Sequence, residues 1–453
     1  MQTHRYTLQA ISTTANQQAI SWLKLGILSL AAAGIFSILL VLSRTPAIQE
    51  IIPFTDFFHI ALVVHVDLSV LIWFLSCAGL LWSLVTPNHG TRLDRLPLAL
   101  ALAGSIMIII APFIGIGAPL MNNYVPVLDH PFYLSALCIF GAGMLMQLLL
   151  TLIFAHPELG ADTNESVLKS GAYLAAAATL AAFLGLLLSY LSIPPVVEGH
   201  GYYEILFWGG GHILQFAYTL LMLMVWLWLS DATGARINLG PSVLKGLMFI
   251  TVAPILYSIW IYSQFDVLSP QHRLGFTDLM TYGGLASLPL GLIITQAILR
   301  AEKTQARDKK PIKAALLASI TLFAAGGVIG FMIEGVNVVI PAHYHGSIVG
   351  ITLAFMGLTY YLLPQFGYAA PDSKTAHWQP YIYGGGQLMH ILGLAWSGGY
   401  GVQRKTAGAA QGLDRLPEIA GMGMMGLGGA ISIIGGFLFV IIAIKAFNTK
   451  SIN

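Results

Sequence analysis

The chain has 453 residues, of which 57% are hydrophobic and only 9% charged. Soluble domains carry roughly 25% charged residues, so a water-soluble globular protein is excluded. With a net charge of +2 there is no electrostatic footprint for a nucleic-acid partner.

A membrane-crossing helix needs roughly 20 apolar residues. Such runs fall at about 20–43, 57–85, 96–117, 132–155, 166–192, 202–230, 241–264, 274–299, 313–336, 339–366, 378–400 and 420–446. Polar or Pro/Gly breaks separate them, such as Pro194-Pro195 and the stretch from Arg300 to Lys313. The expected organisation is a cytoplasmic N-terminal segment (1–19), one twelve-helix transmembrane domain (20–446) and a cytoplasmic tail (447–453). The first run is too long for the apolar core of a signal peptide, so no cleavable leader is expected. Cys77 and Cys138 lie inside apolar runs and read as buried small residues, not as a disulfide framework. With loops assigned alternately to two sides, 16 of the 21 Lys and Arg fall on the side of the N-terminus. The other side holds Arg44, Arg273, Arg404, Lys405 and Arg415. Cytoplasmic loops carry the basic excess, so both termini are expected in the cytoplasm, with the chain in a bacterial inner membrane.

Ionisable residues inside a bilayer are costly, which makes each one a functional-site hypothesis. In this topology the second, sixth and tenth runs enter from the outer side. His65 lies about two turns into the second run, His212 about three turns into the sixth, and His343 and His345 about one turn into the tenth. His390 falls near the middle of the eleventh. Imidazoles therefore gather in the outer half of the membrane, where each needs a partner, and haem iron is a common one. At 3.6 residues per turn, His343 and His345 point roughly 200° apart. They cannot grip one metal as an i, i+4 pair would. They can serve two cofactors on opposite faces of one helix, or be an interfacial pair near a helix end. Trp208-Gly209-Gly210-Gly211 precedes His212; the glycines leave room for a flat macrocycle or for a closely packed helix.

At these residues the chain resembles subunit I of the haem-copper oxidase superfamily, which includes cytochrome c oxidases and nitric oxide reductases. The segment from Gly326-Gly327-Val328 through Pro341-Ala342-His343-Tyr344-His345 to Leu363-Pro364 is similar to the family's helix 9–10 signature. Met389-His390-Ile391-Leu392-Gly393-Leu394 through Arg404-Lys405 resembles its helix 11 and following loop, and Tyr124-Val125-Pro126 through Tyr133 its helix 3–4 connection. The resemblance implies an all-α integral membrane fold, a twelve-helix bundle like haem-copper oxidase subunit I. It implies two haems, expected to be b-type: His65 and His345 would ligate a low-spin haem, His343 a high-spin one, and Arg404 and Lys405 would bind propionates. His212 matches the helix 6 ligand of the second metal, which is copper or, in nitric oxide reductases, non-haem iron.

The sequence departs from the family in the seventh run. The family's adjacent His-His metal ligands are replaced by Tyr262 and Ser263, and no His-His occurs anywhere in the chain. A lone imidazole is a poor copper site; Tyr262, Gln215 and His272 are the residues left to complete one. Gln215 also stands where the family has a carboxylate near His212. Tyr218 and Tyr257 are candidate redox tyrosines, and Glu334 is the sole carboxylate of the ninth and tenth runs. The implied activity is that of an oxidoreductase: electrons from a cytochrome or cupredoxin donor would pass through the bis-His haem to a haem on His343 that binds or reduces O2 or NO. Tyr262 and His212 would line that site, and a small membrane-anchored second subunit is a further expected partner. The alternative is a non-catalytic di-haem gas sensor, or an electron-transfer or structural subunit of a membrane complex.

Overall fold

The computed structural model describes residues 6–8, 10, 12–42, 57–87, 90–115, 117–158, 160–301, 306–404 and 413–449. Its long helical segments follow the hydropathy runs. In chain order they are α1 (Thr13–Leu42), α2 (Phe58–Val85), α3 (Arg92–Ile114), α4 (Pro131–Phe154), α5 (Asn164–Ser192) and α6 (Gly199–Ala232). Then come α7 (Pro241–Gln264), α8 (Pro270–Arg300), α9 (Lys309–Gly330), α10 (Val339–Gln365), α11 (Lys374–Gly398) and α12 (Leu416–Phe447). Eleven of these are long and apolar enough to cross a membrane. The remaining one, α11, carries Lys374, His377, Gln379, Gln387 and His390 along its 25 residues. A short antiparallel hairpin, β1 (Ala118–Leu120) with β2 (Val127–Asp129), joins α3 to α4.

Caps, rather than hydropathy, set the helix ends. Ser12 Oγ accepts the Ala15 N–H at 3.1 Å, so α1 starts at Thr13, well before its apolar run. At the other extreme α9 stops at Gly330, short of the expected 336. Gly335 adopts a left-handed φ of 72°, and Asn337 Oδ1 accepts the Val339 N–H at 2.9 Å to begin α10. Glu334 therefore belongs to the connection between α9 and α10, not to a helix. Inside α2, residues Asp67–Ile72 wind as a π-helix.

The helices divide into two compact units. The first contains α1 to α5, α6 through Met224, α7, and α8 through Gln296. Its helices meet through small residues, the usual device where lipid gives no hydrophobic drive to association. Trp73 of α2 lies over Gly26 of α1, where a Cβ would come within 2.8 Å of the ring; reciprocally, Trp22 lies over Gly79 at 2.6 Å. Both indoles are fully buried. Cys77 is buried as expected, but Cys138 is exposed on α4; a thiol is apolar enough to face either core or lipid.

The second unit contains α6 from Val225 and α9 to α12. Trp226 donates to Ser319 Oγ at 2.7 Å, and Ser319 donates to Gly350 O at 2.6 Å, tying the end of α6 to α9 and α10. Helices α9 and α10 touch backbone to backbone: a Cβ on Gly346 would lie 2.6 Å from Gly326 Cα.

Candidate functional site

The close approach of α9 to α10 sets the first group of histidines. It brings Gly326 O within 2.7 Å of His343 Nδ1. A carbonyl can only accept, so Nδ1 carries the hydrogen and Nε2 keeps its lone pair. His345, two residues on, turns away: its Nδ1 donates to Pro341 O at 2.8 Å, and its ring lies 5.1 Å from that of His390 on α11. His390 in turn donates from Nδ1 to Met425 O of α12 at 2.9 Å. The two neighbours in Ala342-His343-Tyr344-His345 thus face different helices, as helical geometry requires. The loop after α11 returns to this end of α10, because Val338 N–H donates to Val402 O at 3.0 Å. That turn brings Arg404 within electrostatic reach of Tyr344. Lys405 lies outside the described residues.

In the first unit His65 repeats the pattern. Its Nδ1 donates to Ala33 O of α1 at 2.9 Å. Two residues later Asp67 is buried and opens the π-helix; its Oδ2 accepts the Tyr133 hydroxyl of α4 at 2.6 Å, while Oδ1 has no hydrogen-bond partner among the described residues. Sequence reasoning passed over Asp67, although a lone carboxylate in an apolar run was the available signal.

His212 is held differently. Its Nδ1 donates to Trp208 O at 2.7 Å, and its Nε2 accepts the Tyr124 hydroxyl at 2.9 Å. The rings of Trp208, Tyr124 and Phe276 surround it at centroid distances of 4.7, 4.8 and 5.6 Å. Burial, with the Glu204 carboxylate nearby, pushes the Tyr124 phenol far above its usual pKa, so it stays a proton donor. Tyr262 is close at hand, but its hydroxyl donates to Gly185 O and accepts from Ser189 Oγ, both at 2.9 Å. His272 lies against Tyr262 and Phe276, at 5.0 and 5.1 Å. The three glycines before His212 receive neighbours. A Cβ on Gly209 would strike the Tyr262 hydroxyl, one on Gly211 the Tyr124 ring, and one on Gly210 the α5 backbone at Ala182 O, 2.9 Å away. Gly210 thus packs against a neighbouring helix, while Gly209 and Gly211 face tyrosine side chains. Gln215 reaches the Tyr124 hydroxyl; Tyr218 packs on Phe74 at 4.9 Å, and Tyr257 stacks on Trp260 at 5.1 Å. Tyr124 is the functional candidate that sequence reasoning missed in this group.

Long apolar helices presenting inward imidazoles define a polytopic membrane protein. Over residues 17–440 the sequence matches the family described as cytochrome c and quinol oxidase polypeptide I. The chain belongs to that family. It is 31% identical to an uncharacterized protein of Rickettsia prowazekii (strain Madrid E), over 95% of this chain and 96% of that one. It is 29% identical to an uncharacterized protein of Aquifex aeolicus (strain VF5), over 80% of this chain and 88% of the relative. The fold is similar to that of a haem-copper terminal oxidase dimer solved by cryo-EM, with a TM-score of 0.73, 13% identity, and coverage of 98% of this chain and 86% of that one. The expected haem-copper oxidase subunit I-like fold is thus observed.

The family implies haem, and the donor chemistry of this chain fits it. His65, His343 and His345 each give Nδ1–H to a backbone carbonyl, the arrangement that fixes the tautomer and orientation of a metal-binding imidazole. A second metal fits poorly. Among the described residues no three His, Cys, Asp or Glu side chains come together as a ligand set, and the Nε2 of His212 already accepts a phenol.

Proposed function

We propose that this chain is a membrane haem protein that takes electrons from a cytochrome or cupredoxin donor and delivers them to O2 or NO. His65 and His345 are the ligands of one haem and His343 of another, both of b-type. Haem supplies one-electron transfer and, at an open axial position, binding of a diatomic gas. The residues supply the rest. Gly326 O and Ala33 O hold the imidazoles of His343 and His65 in the ligating tautomer from neighbouring helices, and Pro341 O does the same for His345 within α10. Arg404 and Lys405 provide positive charge for propionates. The single observation that carries the reading is the match to the oxidase family over residues 17–440; the Nδ1–H to carbonyl bonds of His65, His343 and His345, at 2.9, 2.7 and 2.8 Å, suit ligation, although His212 and His390 make the same bond. The topology proposed with it has both termini in the cytoplasm of a bacterial inner membrane, one haem-binding domain over residues 20–446, and a small membrane-anchored partner subunit.

The ligand assignment is tested by two variants. His65→Ala should abolish the low-spin haem signal and spare the high-spin one, and His343→Ala should do the reverse. Both signals surviving in both variants would show the assignment to be wrong.

A second reading is favoured by the Tyr124–His212 bond. It makes the chain a haem-bearing gas sensor or electron-transfer subunit that does not turn gas over. Gas consumption with an artificial electron donor, against gas binding without consumption, separates the two.

A further inference from the structure

We infer that the His212 centre is closed to a metal ion, and that this chain carries neither copper nor non-haem iron there; Tyr124 and Tyr262 take the metal's place. The inference deepens the proposed function, since it concerns the second metal of the same family.

A neutral imidazole such as that of His212 has one donor and one lone pair. The donor is committed to Trp208 O and the lone pair to the Tyr124 hydroxyl. A metal could bind Nε2 only after displacing that phenol.

Tyr124 is not free to leave. Asn122 Oδ1 accepts the backbone N–H groups of Tyr124 and Val125, at 3.0 and 2.9 Å. The next residue back is tied to α6 itself: Asn123 N–H donates to Glu204 Oε2 at 3.0 Å, and its side-chain amide donates to Oε1. The loop between β1 and β2 is therefore clamped to the helix that bears His212, two turns away from it. The Tyr124 ring then fills the space beside Gly211, which exists because that residue has no Cβ.

Metal sites of this kind use about three or four N, O or S donors at ~2.0–2.3 Å. Tyr262 occupies the position of the family's imidazoles, but its hydroxyl is held to α5, donating to Gly185 O and accepting from Ser189 Oγ. His272 packs on Phe276, which itself packs on His212; it lies within electrostatic reach of His212 and its Nε2 has no hydrogen-bond partner among the described residues, but two imidazoles fall short of a ligand set, and no third His, Cys, Asp or Glu among the described residues joins them.

The test uses the full-length chain, purified in detergent from cells grown with added copper and iron, then exposed to Cu(I) or Fe(II) and desalted. Mass spectrometry gives copper and total iron per chain, and a pyridine haemochrome assay gives haem iron. The expected result is copper and non-haem iron each below about 0.1 per chain. Metal retained equally in His212→Ala lies elsewhere and also agrees with the inference. About one copper or one non-haem iron per chain, lost in His212→Ala, overturns it. His212→Gln, which keeps a polar group opposite Tyr124, serves the same purpose should the alanine variant not fold. Haem content is read separately from the same sample, so failure of the haem reading is distinguishable from failure of this one.

Discussion

Single residues aim the imidazoles. His343 depends on the absence of a side chain at Gly330, where a Cβ would sit 2.7 Å from its Nδ1. Gly330→Ala should displace the ring, cost about 1–3 kcal/mol of stability as overpacking does, and weaken the high-spin haem signal while sparing the low-spin one. Optical spectra of the variant check this. Asp67 is a second sensitive point. Replacing it with Ala leaves the buried Tyr133 hydroxyl without its acceptor, at a cost of about 1–3 kcal/mol; Asp67→Asn should cost less, as read from thermal unfolding in detergent. For Tyr124 the pH dependence has a definite sign. Burial and Glu204 raise its pKa in the folded chain, so its contribution to stability is fully present below the unfolded value of about 10 and is lost as pH rises above it. Tyr124→Phe should therefore flatten the alkaline fall in stability; an unchanged alkaline limb would contradict the placement of this phenol.

At the scale of helices, much was legible in the sequence. Apolar runs located every long helix because a backbone in lipid must satisfy its own hydrogen bonds within the helix. What hydropathy could not read were the ends. Polar residues 13–19 join α1 because Ser12 caps it, and residues 331–336 leave α9 because Gly335 and Asn337 form the turn and the next cap. That His343 and His345 face different helices followed from helical spacing alone. The partner of His212 did not: Tyr124 is 88 residues away in sequence, and a hairpin anchored on Glu204 delivers it. The glycines before His212 were visible as space, but nothing local told whether a macrocycle or tyrosines would fill it. The reciprocal Trp–Gly notches of α1 and α2 give an element-scale test. Trp22→Ala should destabilise the chain by about 3–5 kcal/mol, and Gly79→Leu should be similarly harmful because the indole has nowhere to go. A thermal midpoint unchanged in both would contradict that packing.

For the whole molecule, the basic residues and the histidines make linked statements. The proposed topology, with both ends in the cytoplasm, rests on the excess of Lys and Arg on the side of the N-terminus. Reporter fusions at each terminus should both read as cytoplasmic. The central claim is that these imidazoles hold iron porphyrin, and a reduced-minus-oxidised spectrum of the purified chain, quantified as haem per polypeptide, tests it most directly. The account predicts a Soret band and about two haems per chain; a well-folded preparation with no Soret absorbance would contradict it.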